Sequence, residues 1–222
     1  MEVVRTLLQD VRYTLRSLVR QPVFAGTIVV TLALGMAVIF AVVNGLILAP
    51  FPFPEPDRVV GVGTVYPRLG GEVSFFENLS AAEFRDVREG SRTLEDVVAW
   101  DMGNRQIDGE GPPENVFTGF WWGDPLGTVG TPAHLGRGFT DEEIRTGAKV
   151  AMLSHRLWTT RFGADSSMVG RAISINGEPY TLVGIVPEGV LIYGTDLWTP
   201  MWASPGELPR NRRQFQLLGR VA

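Results

Sequence analysis

The residue types best suited to catalysis occur in VAMLSHRLWTTRFG (150–163), where Ser154 directly precedes His155, one of two histidines in the 222-residue chain. A serine nucleophile needs a base that contacts it and a third group that orients the base. Adjacent side chains usually point apart, and the sequence has no G-x-S-x-G elbow. The apolar run before Ser154 and the helical spacing after it, which stops at Gly163, predict instead that Ser154 caps a helix.

The other chemically capable residues give weaker patterns. His134 stands alone in the glycine-rich stretch 123–138, which lacks the G-x-x-x-x-G-K-[ST] phosphate loop. Asp141, Glu142 and Glu143 fall in a first helical turn, where acidic groups complement the helix dipole and face solvent. The absence of cysteine excludes thiol chemistry and cysteine-based zinc sites. We therefore predict no catalytic residue, no bound cofactor and no metal site.

An uncharged apolar stretch dominates the N-terminal part of the chain. Residues 23–49 include no charged side chain, and as a helix they would extend about 40 Å, against about 30 Å for the hydrocarbon core of a bilayer. Signal peptides have shorter apolar regions and end in a small-x-small site, which large Ile47 and the proline after Ala49 disfavour. We predict an uncleaved transmembrane helix over 23–49, with a buried core helix as the alternative.

Residues 1–22 have an amphipathic pattern, in which apolar side chains at helical spacing lie beside a stripe of arginines. Such a helix can lie in the cytoplasmic headgroup region, with guanidinium groups on lipid phosphates. Packing on another protein is the alternative, and the two are compatible. The predicted membrane-interface residues are Arg5, Arg12, Arg16 and Arg20.

The charges on either side of the apolar stretch predict its orientation. The basic segment precedes the stretch, which predicts a cytoplasmic N-terminus and places the residues from about 50 onward outside the cytoplasm. Residues 50–57 alternate proline with other residues and form a stiff linker. Beyond residue 49 there are 16 basic and 22 acidic residues, a net charge of −6, which gives no reason to expect nucleic acid as a partner.

Residues 58–222 read as a mixed α+β domain. Strands are expected over 58–66, 94–107 and 114–122, and a hairpin around Asn176-Gly177. Two capping boxes predict helices that begin after Ser80 and Thr140. The adjacent pair Trp121 and Trp122 is expected in the core, with an exposed ligand platform as the alternative.

Several of these segments, taken in order, resemble a known family. They are DVRYTLRSLVRQPVFAGTIVVTLALGMAVIFAVVNGLIL, PFPFPEPDRVV, AAEFRDVREGSRTLEDVVAW, LGRGFTDEE, VAMLSHRLWTTRFGADSSMVGRAISINGEPYTLVGIVPEG and DLWTP. This order is similar to the first membrane helix and the periplasmic core domain of FtsX-like, MacB-type ABC transporter permeases. Such permeases have further membrane helices after the domain, so we expect the chain, which stops after QFQLLGRVA, to be truncated and its domain incomplete at the C-terminus.

The resemblance implies a non-catalytic permease subunit that works with a separate cytoplasmic ABC ATPase, as a homodimer or permease dimer when full length. It also implies that Ser154 holds a structural position. A single-span anchored binding or sensor domain is the alternative, and an anchored hydrolase lacks a convincing set of residues.

Overall fold

The computed structural model of the protein describes residues 21–43, 53–67, 73–76, 78–109, 111–190, 192–201, 208–209 and 211–222. The chain divides into two compact units, Met1–Pro50 and Phe51–Ala222. The predicted interfacial helix over 1–22, with all four of its arginines, lies outside the described residues except at Gln21 and Pro22. The second unit combines sheet and helices, so the predicted α+β class is confirmed.

In the first unit, helix α1 spans Pro22–Val42. Proline suits this first position because its fixed φ matches a helix and its missing N–H would have had no partner there. From Gly26 to Val42 the side chains are exposed. None of the helices in the described part of the chain combines the length and the hydropathy that crossing a membrane requires. Residues 44–52 lie outside the described part, and the span over 23–49 stays a prediction.

In the second unit, ten of the described strands form one sheet, in the order β1-β12-β5-β6-β11-β8-β10-β7, with β4 beside β12 and β9 beside both β10 and β5. Strands β2 and β3 form a separate two-stranded sheet. The strand bounds are β1 Val59–Val62, β2 Thr64–Pro67, β3 Val73–Phe76, β4 Leu79–Ser80, β5 Leu94–Asp108, β6 Glu114–Trp122, β7 Leu135–Gly136, β8 Val150–Leu153, β9 Ala172–Ile175, β10 Glu178–Ile185, β11 Leu197–Pro200 and β12 Arg213–Val221.

Four α-helices are described in the same unit: α2 Ala81–Gly90, α3 Pro125–Val129, α4 Asp141–Thr146 and α5 His155–Phe162. Short 3₁₀ turns span Pro56–Arg58 and Ser166–Met168. Both predicted capping boxes are present, with Glu83 returning to Ser80 before α2 and Glu143 returning to Thr140 before α4. These helix starts were predictable because the cap and its partner are three residues apart.

Most of the predicted strands are confirmed, including β5, β6 and the β9–β10 hairpin. The hairpin turn has φ of 50° at Asn176 and 76° at Gly177, which is the backbone of a type I′ turn. The single strand predicted over 58–66 is wrong. The segment instead forms two strands separated by Gly63. Strand β1 pairs with β12 in the main sheet, whereas β2 pairs with β3 in the other sheet.

The core lies on both faces of the sheet, since successive residues of a strand point to opposite sides. Trp121 joins a cluster with Trp100 and Trp198, while Trp122 packs on Phe84 of α2 and on Phe215. Trp121 and Trp122 have no more than 2% of their surface exposed, so their predicted core position is confirmed.

Candidate functional site

The first and last strands of the second unit lie side by side. Strand β1 pairs antiparallel with β12, and Val59 faces Arg220 in the register. The chain therefore enters the main sheet beside the end of the last described strand. We call this place, with Glu55, Arg58, Glu95 and Arg220, the junction.

Four charged side chains hold the junction together. Arg58 contacts Glu95 at 2.7 Å and Glu55 at 3.2 Å, and its Nε donates to the Val221 carbonyl at 2.9 Å. Arg220 pairs with Glu55 and lies 3.8 Å from Glu95. Only 11% of the Arg220 side chain is exposed, whereas both glutamates are more than half exposed. A largely buried guanidinium needs its carboxylate partners, because burial without them removes its hydration uncompensated.

The backbone at Glu55 fixes one of these carboxylates. Glu55 has φ of 50°, a left-handed conformation that is uncommon outside glycine. It stands between Pro54 and Pro56, and Pro56 starts the 3₁₀ turn that leads into β1. The linker predicted over 50–57 thus ends, in its described part, in a rigid turn that is bonded to the sheet.

The loop region after β6 contacts Arg220 at the junction. Gly130 has φ of 71° and ends α3, and a Cβ at this position would lie 2.8 Å from Nη1 of Arg220. Glycine suits both the left-handed backbone and this close approach, whereas a larger residue would be strained and would require the guanidinium to shift. Asp124 caps α3 through the N–H groups of Leu126 and Gly127, and burial raises the pKa of its carboxyl group. Within the glycine-rich stretch 123–138, Gly130 therefore packs closely against the Arg220 guanidinium.

Ser154 is a helix cap, as predicted. Its Oγ accepts the Leu157 N–H at 3.1 Å and donates to Oδ1 of Asp196 at 2.7 Å, and only 2% of the residue is exposed. Asp196 also pairs with Arg156. The Ser154 hydroxyl therefore has its two contacts with the backbone of α5 and with Asp196, and the described segment shows no hydrogen bond from it to His155.

Asp196 is the residue that the sequence reasoning missed. It is 5% exposed, and its backbone carbonyl accepts the Ser154 N–H at 2.7 Å. Asp196 begins the segment DLWTP, which contributes to the family resemblance, but no contact with Ser154 was predicted for it. No spacing rule could connect it to Ser154, because 42 residues separate the two.

The expectation that His134 stands alone is wrong. The rings of His134 and His155 have centroids 5.0 Å apart, and each lies 5.5 Å from the ring of Trp158. The loop before β7 and the start of α5 meet here, a tertiary contact that local sequence does not predict. Within the described residues, no group of three or more His, Cys, Asp or Glu side chains is arranged to hold a metal ion.

The acidic cluster of α4 is not uniformly solvated. Glu142 pairs with Arg145 and both are exposed, as expected for a surface helix. Glu143 instead takes two 2.7 Å bonds from Arg137 and is only 16% exposed. The Arg137 guanidinium, helped by the Thr140 N–H, lowers the pKa of Glu143 from 4.5 to about 2. This carboxylate joins α4 to the loop after β7.

Residues 25–221 match the family described as "MacB-like periplasmic core domain". The chain belongs to this family, a domain of ABC transporter permeases. No curated protein matches the chain significantly.

Three solved structures share the fold. The periplasmic region of MacB from Actinobacillus actinomycetemcomitans is 13% identical with a TM-score of 0.54, and the match covers 66% of each chain. The extracellular domain of the noncanonic ABC-type transporter YknZ from Gram-positive bacteria is 14% identical with a TM-score of 0.53, covering 73% of this chain and 83% of that one. A domain of a putative permease protein from Porphyromonas gingivalis is 17% identical with a TM-score of 0.57, covering 77% and 75%. At these identities the likeness concerns the fold alone.

Proposed function

We propose that the chain is the permease portion of an ABC transporter, with no catalytic activity of its own, and that it couples a separate cytoplasmic ATPase to the extracytoplasmic domain for export or for transmission of force. The observation that carries this proposal is the pairing of β1 with β12 at the junction. Permeases of this type have membrane helices on both sides of the domain. Both connections would then reach one edge of the sheet, where movement of either one acts on the other.

The charges of the junction support such a role. Arg58 bonds to both glutamates and to the backbone of β12, and Arg220 pairs with the glutamate in the entering turn. The entering turn and the last strand are therefore linked by side chains as well as by the ladder of backbone hydrogen bonds. A force applied to the chain before Glu55 would act on several of these bonds at once and would be transmitted through them to the sheet.

The membrane anchor in this proposal is the apolar stretch 23–49. Its support is the absence of charge over 27 residues, and the described part is helical from Pro22 to Val42. A helix that is apolar on all faces is stable only in a protein core or a bilayer. The arginines of residues 1–22 would contact lipid phosphates on the cytoplasmic side of the inner membrane.

The proposed protein partners are a separate ABC ATPase subunit and a second permease. No Walker motif is present, so ATP hydrolysis would come from a separate ABC ATPase subunit. Family membership favours a permease dimer. The acidic extracytoplasmic domain gives no attraction for nucleic acid.

The proposal is tested by topology and assembly together. Alkaline phosphatase, which is active only outside the cytoplasm, is fused after Ala222, and an ABC ATPase from the same source, chosen from a gene next to that of the chain where one is found, is co-expressed with it. We expect phosphatase activity and co-purification of the ATPase in detergent. A cytoplasmic reporter signal, or no co-purification at any ratio of the two proteins, would contradict the proposal.

The coupling step has its own test in the same complex. The double variant Glu55→Gln/Glu95→Gln should still assemble with the ATPase but weaken the dependence of ATP hydrolysis on the permease. Glu142→Gln is the matched control, because its pair with Arg145 is exposed and distant in sequence from the junction. Equal behaviour of both variants would show that the junction charges do not transmit movement.

A single-span anchored binding or sensor domain is the second candidate, favoured by one cavity. This cavity of about 290 Å³ is lined by Trp100, Tyr193 and Gln216 among others. Among the described residues, the buried Oε1 of Gln216 has no hydrogen-bond partner. Ligand binding by a chain that does not associate with an ATPase would favour this candidate.

A further inference from the structure

The only two histidines of the sequence meet in the fold, although they are 21 positions apart. Their ring centroids lie 5.0 Å apart with the ring planes at 89°. His134 is placed by its backbone N–H, which donates to the Ile185 carbonyl at 2.8 Å. His155 is placed as the first residue of α5, directly after the buried cap Ser154. Both positions are therefore set by the backbone of ordered elements.

The separation of the two rings suits a shared cation. With the cation about 2.0–2.1 Å from each imidazole nitrogen and each nitrogen about 1.2 Å from its ring centre, the two centroids lie about 5.3 Å apart at the tetrahedral angle and about 4.6 Å apart at the 90° angle of a tetragonal copper site. The observed 5.0 Å lies between these two values. Imidazole is a ligand that Zn²⁺ and Cu²⁺ favour, and among divalent ions of this row Cu²⁺ binds most tightly.

The surroundings leave room for water to complete the coordination. His134 is exposed, and His155 lines an open cavity of about 560 Å³ together with Glu188 and Pro187. Arg156, the cation nearest in sequence, is engaged by Asp196. Since no third His, Asp or Glu joins the pair among the described residues, the protein would supply two ligands and solvent the others.

We infer that His134 and His155 form a two-imidazole site for a divalent transition-metal ion, filled most tightly by Cu²⁺ and more weakly by Zn²⁺, on the surface of the second unit. Trp158 closes one side of this site. The residue is 6% exposed, and its indole is fixed by a 3.0 Å hydrogen bond from Nε1 to the Asp165 carbonyl. The inference is independent of the proposed permease role, because neither histidine belongs to the junction.

The test uses the untagged full chain in detergent, since a histidine tag would itself bind the ions. Cu²⁺ is titrated by calorimetry, and the loaded protein is examined by electron paramagnetic resonance. We expect one ion per chain and splitting from two imidazole nitrogens. Cu²⁺ should also quench tryptophan fluorescence, and this quenching should be clearly smaller in Trp158→Phe, because Trp158 lies 5.5 Å from both rings.

Three variants separate ligation from aromatic packing. His134→Gln and His155→Gln should each weaken Cu²⁺ binding at least tenfold, because a single imidazole cannot chelate. Glu188→Gln is the matched control from the same cavity and should bind within twofold of wild type. Resonance spectra with fewer than two nitrogens in the wild type, or unchanged affinity in the double histidine variant, would show that the two rings only pack together. The spectra decide the matter even if a variant folds poorly.

Discussion

The guanidinium of Arg220 donates to the carboxylate of Glu55 across 165 residues of sequence. This bond joins the turn before β1 to the last described strand of the same unit. It is the longest-range ion pair among the described residues, and it closes the domain where the chain enters it. Loss of this ion pair should therefore lower the stability of the whole sheet and not only disturb the local surface.

The first prediction concerns this pair. Glu55→Ala/Glu95→Ala removes both carboxylates from Arg220 and should lower the free energy of unfolding by roughly 2 kcal/mol, because a guanidinium that is mostly buried is left unpaired. Urea unfolding followed by tryptophan fluorescence measures this change. All six tryptophans lie between residues 100 and 202, so the signal reports the second unit alone.

The matched control is Glu142→Ala, which breaks the exposed pair with Arg145. It should cost about 0.5 kcal/mol or less, as exposed pairs usually do. Equal costs for the two changes would mean that Arg220 is solvated after the loss of its partners.

A second prediction concerns the turn of the β9–β10 hairpin. Gly177→Val should cost roughly 1–2 kcal/mol, because a β-branched residue resists the positive φ that this turn position requires. Space is not the obstacle, since no atom of the described residues lies within 4 Å of a Cβ at Gly177. Gly61→Val is the control, because Gly61 also has open space around it but lies in strand β1 without positive φ. A loss at Gly61 as large as at Gly177 would rule out the backbone explanation.

Local patterns accounted for much of the fold. Two capping boxes, at Ser80 and Thr140, and the Asn176-Gly177 turn were predicted correctly. Each depends on residues no more than three positions apart, so it can be recognised directly in the sequence. The contact of Asp196 with Ser154 depends on the pairing of β11 with β8. The junction and the histidine pair likewise arise from strand order, which no local spacing encodes.

A third prediction concerns acid. Glu143 has a folded-state pKa of about 2, below its ordinary value of 4.5, because Arg137 bonds to its charged form. A lowered pKa contributes stability that is present above pH 4.5 and is lost as the pH falls toward 2. Between pH 6 and pH 3 the stability advantage of wild type over Glu143→Gln should shrink by about 1–2 kcal/mol, a discounted figure since Arg137 is half exposed. Urea unfolding at the two pH values measures it.

Glu142→Gln provides the comparison for this acid effect. Its carboxylate is exposed, so its stability difference from wild type should change little over the same pH range. A constant difference for Glu143→Gln as well would contradict the special role of the Arg137 bond.

The last prediction concerns Ser154, whose hydroxyl has two partners. Ser154→Ala removes the cap of α5 and also the donor to Oδ1 of Asp196. The loss of a cap alone costs on the order of 1 kcal/mol, and a buried carboxylate oxygen without its donor adds to this. We expect about 2 kcal/mol in total. From sequence alone, Ser154→Asp should restore the cap, since aspartate is as good a capping residue as serine.

The structure reverses that last expectation. The Ser154 hydroxyl lies 2.7 Å from Asp196 Oδ1, so Ser154→Asp would bring two carboxylates together in a site that is 2% exposed at Ser154. Like charges at this distance repel strongly where water is excluded. Ser154→Asp should therefore be less stable than Ser154→Ala at pH 7, and the difference should shrink as the pH falls and one carboxyl group takes a proton. His155→Ala, the neighbouring control, leaves both partners of the Ser154 hydroxyl in place and removes only a half-buried ring that packs against Trp158, so it should cost less than Ser154→Ala, about 1 kcal/mol or less. If Ser154→Asp proves as stable as wild type, Asp196 is not the partner of this hydroxyl.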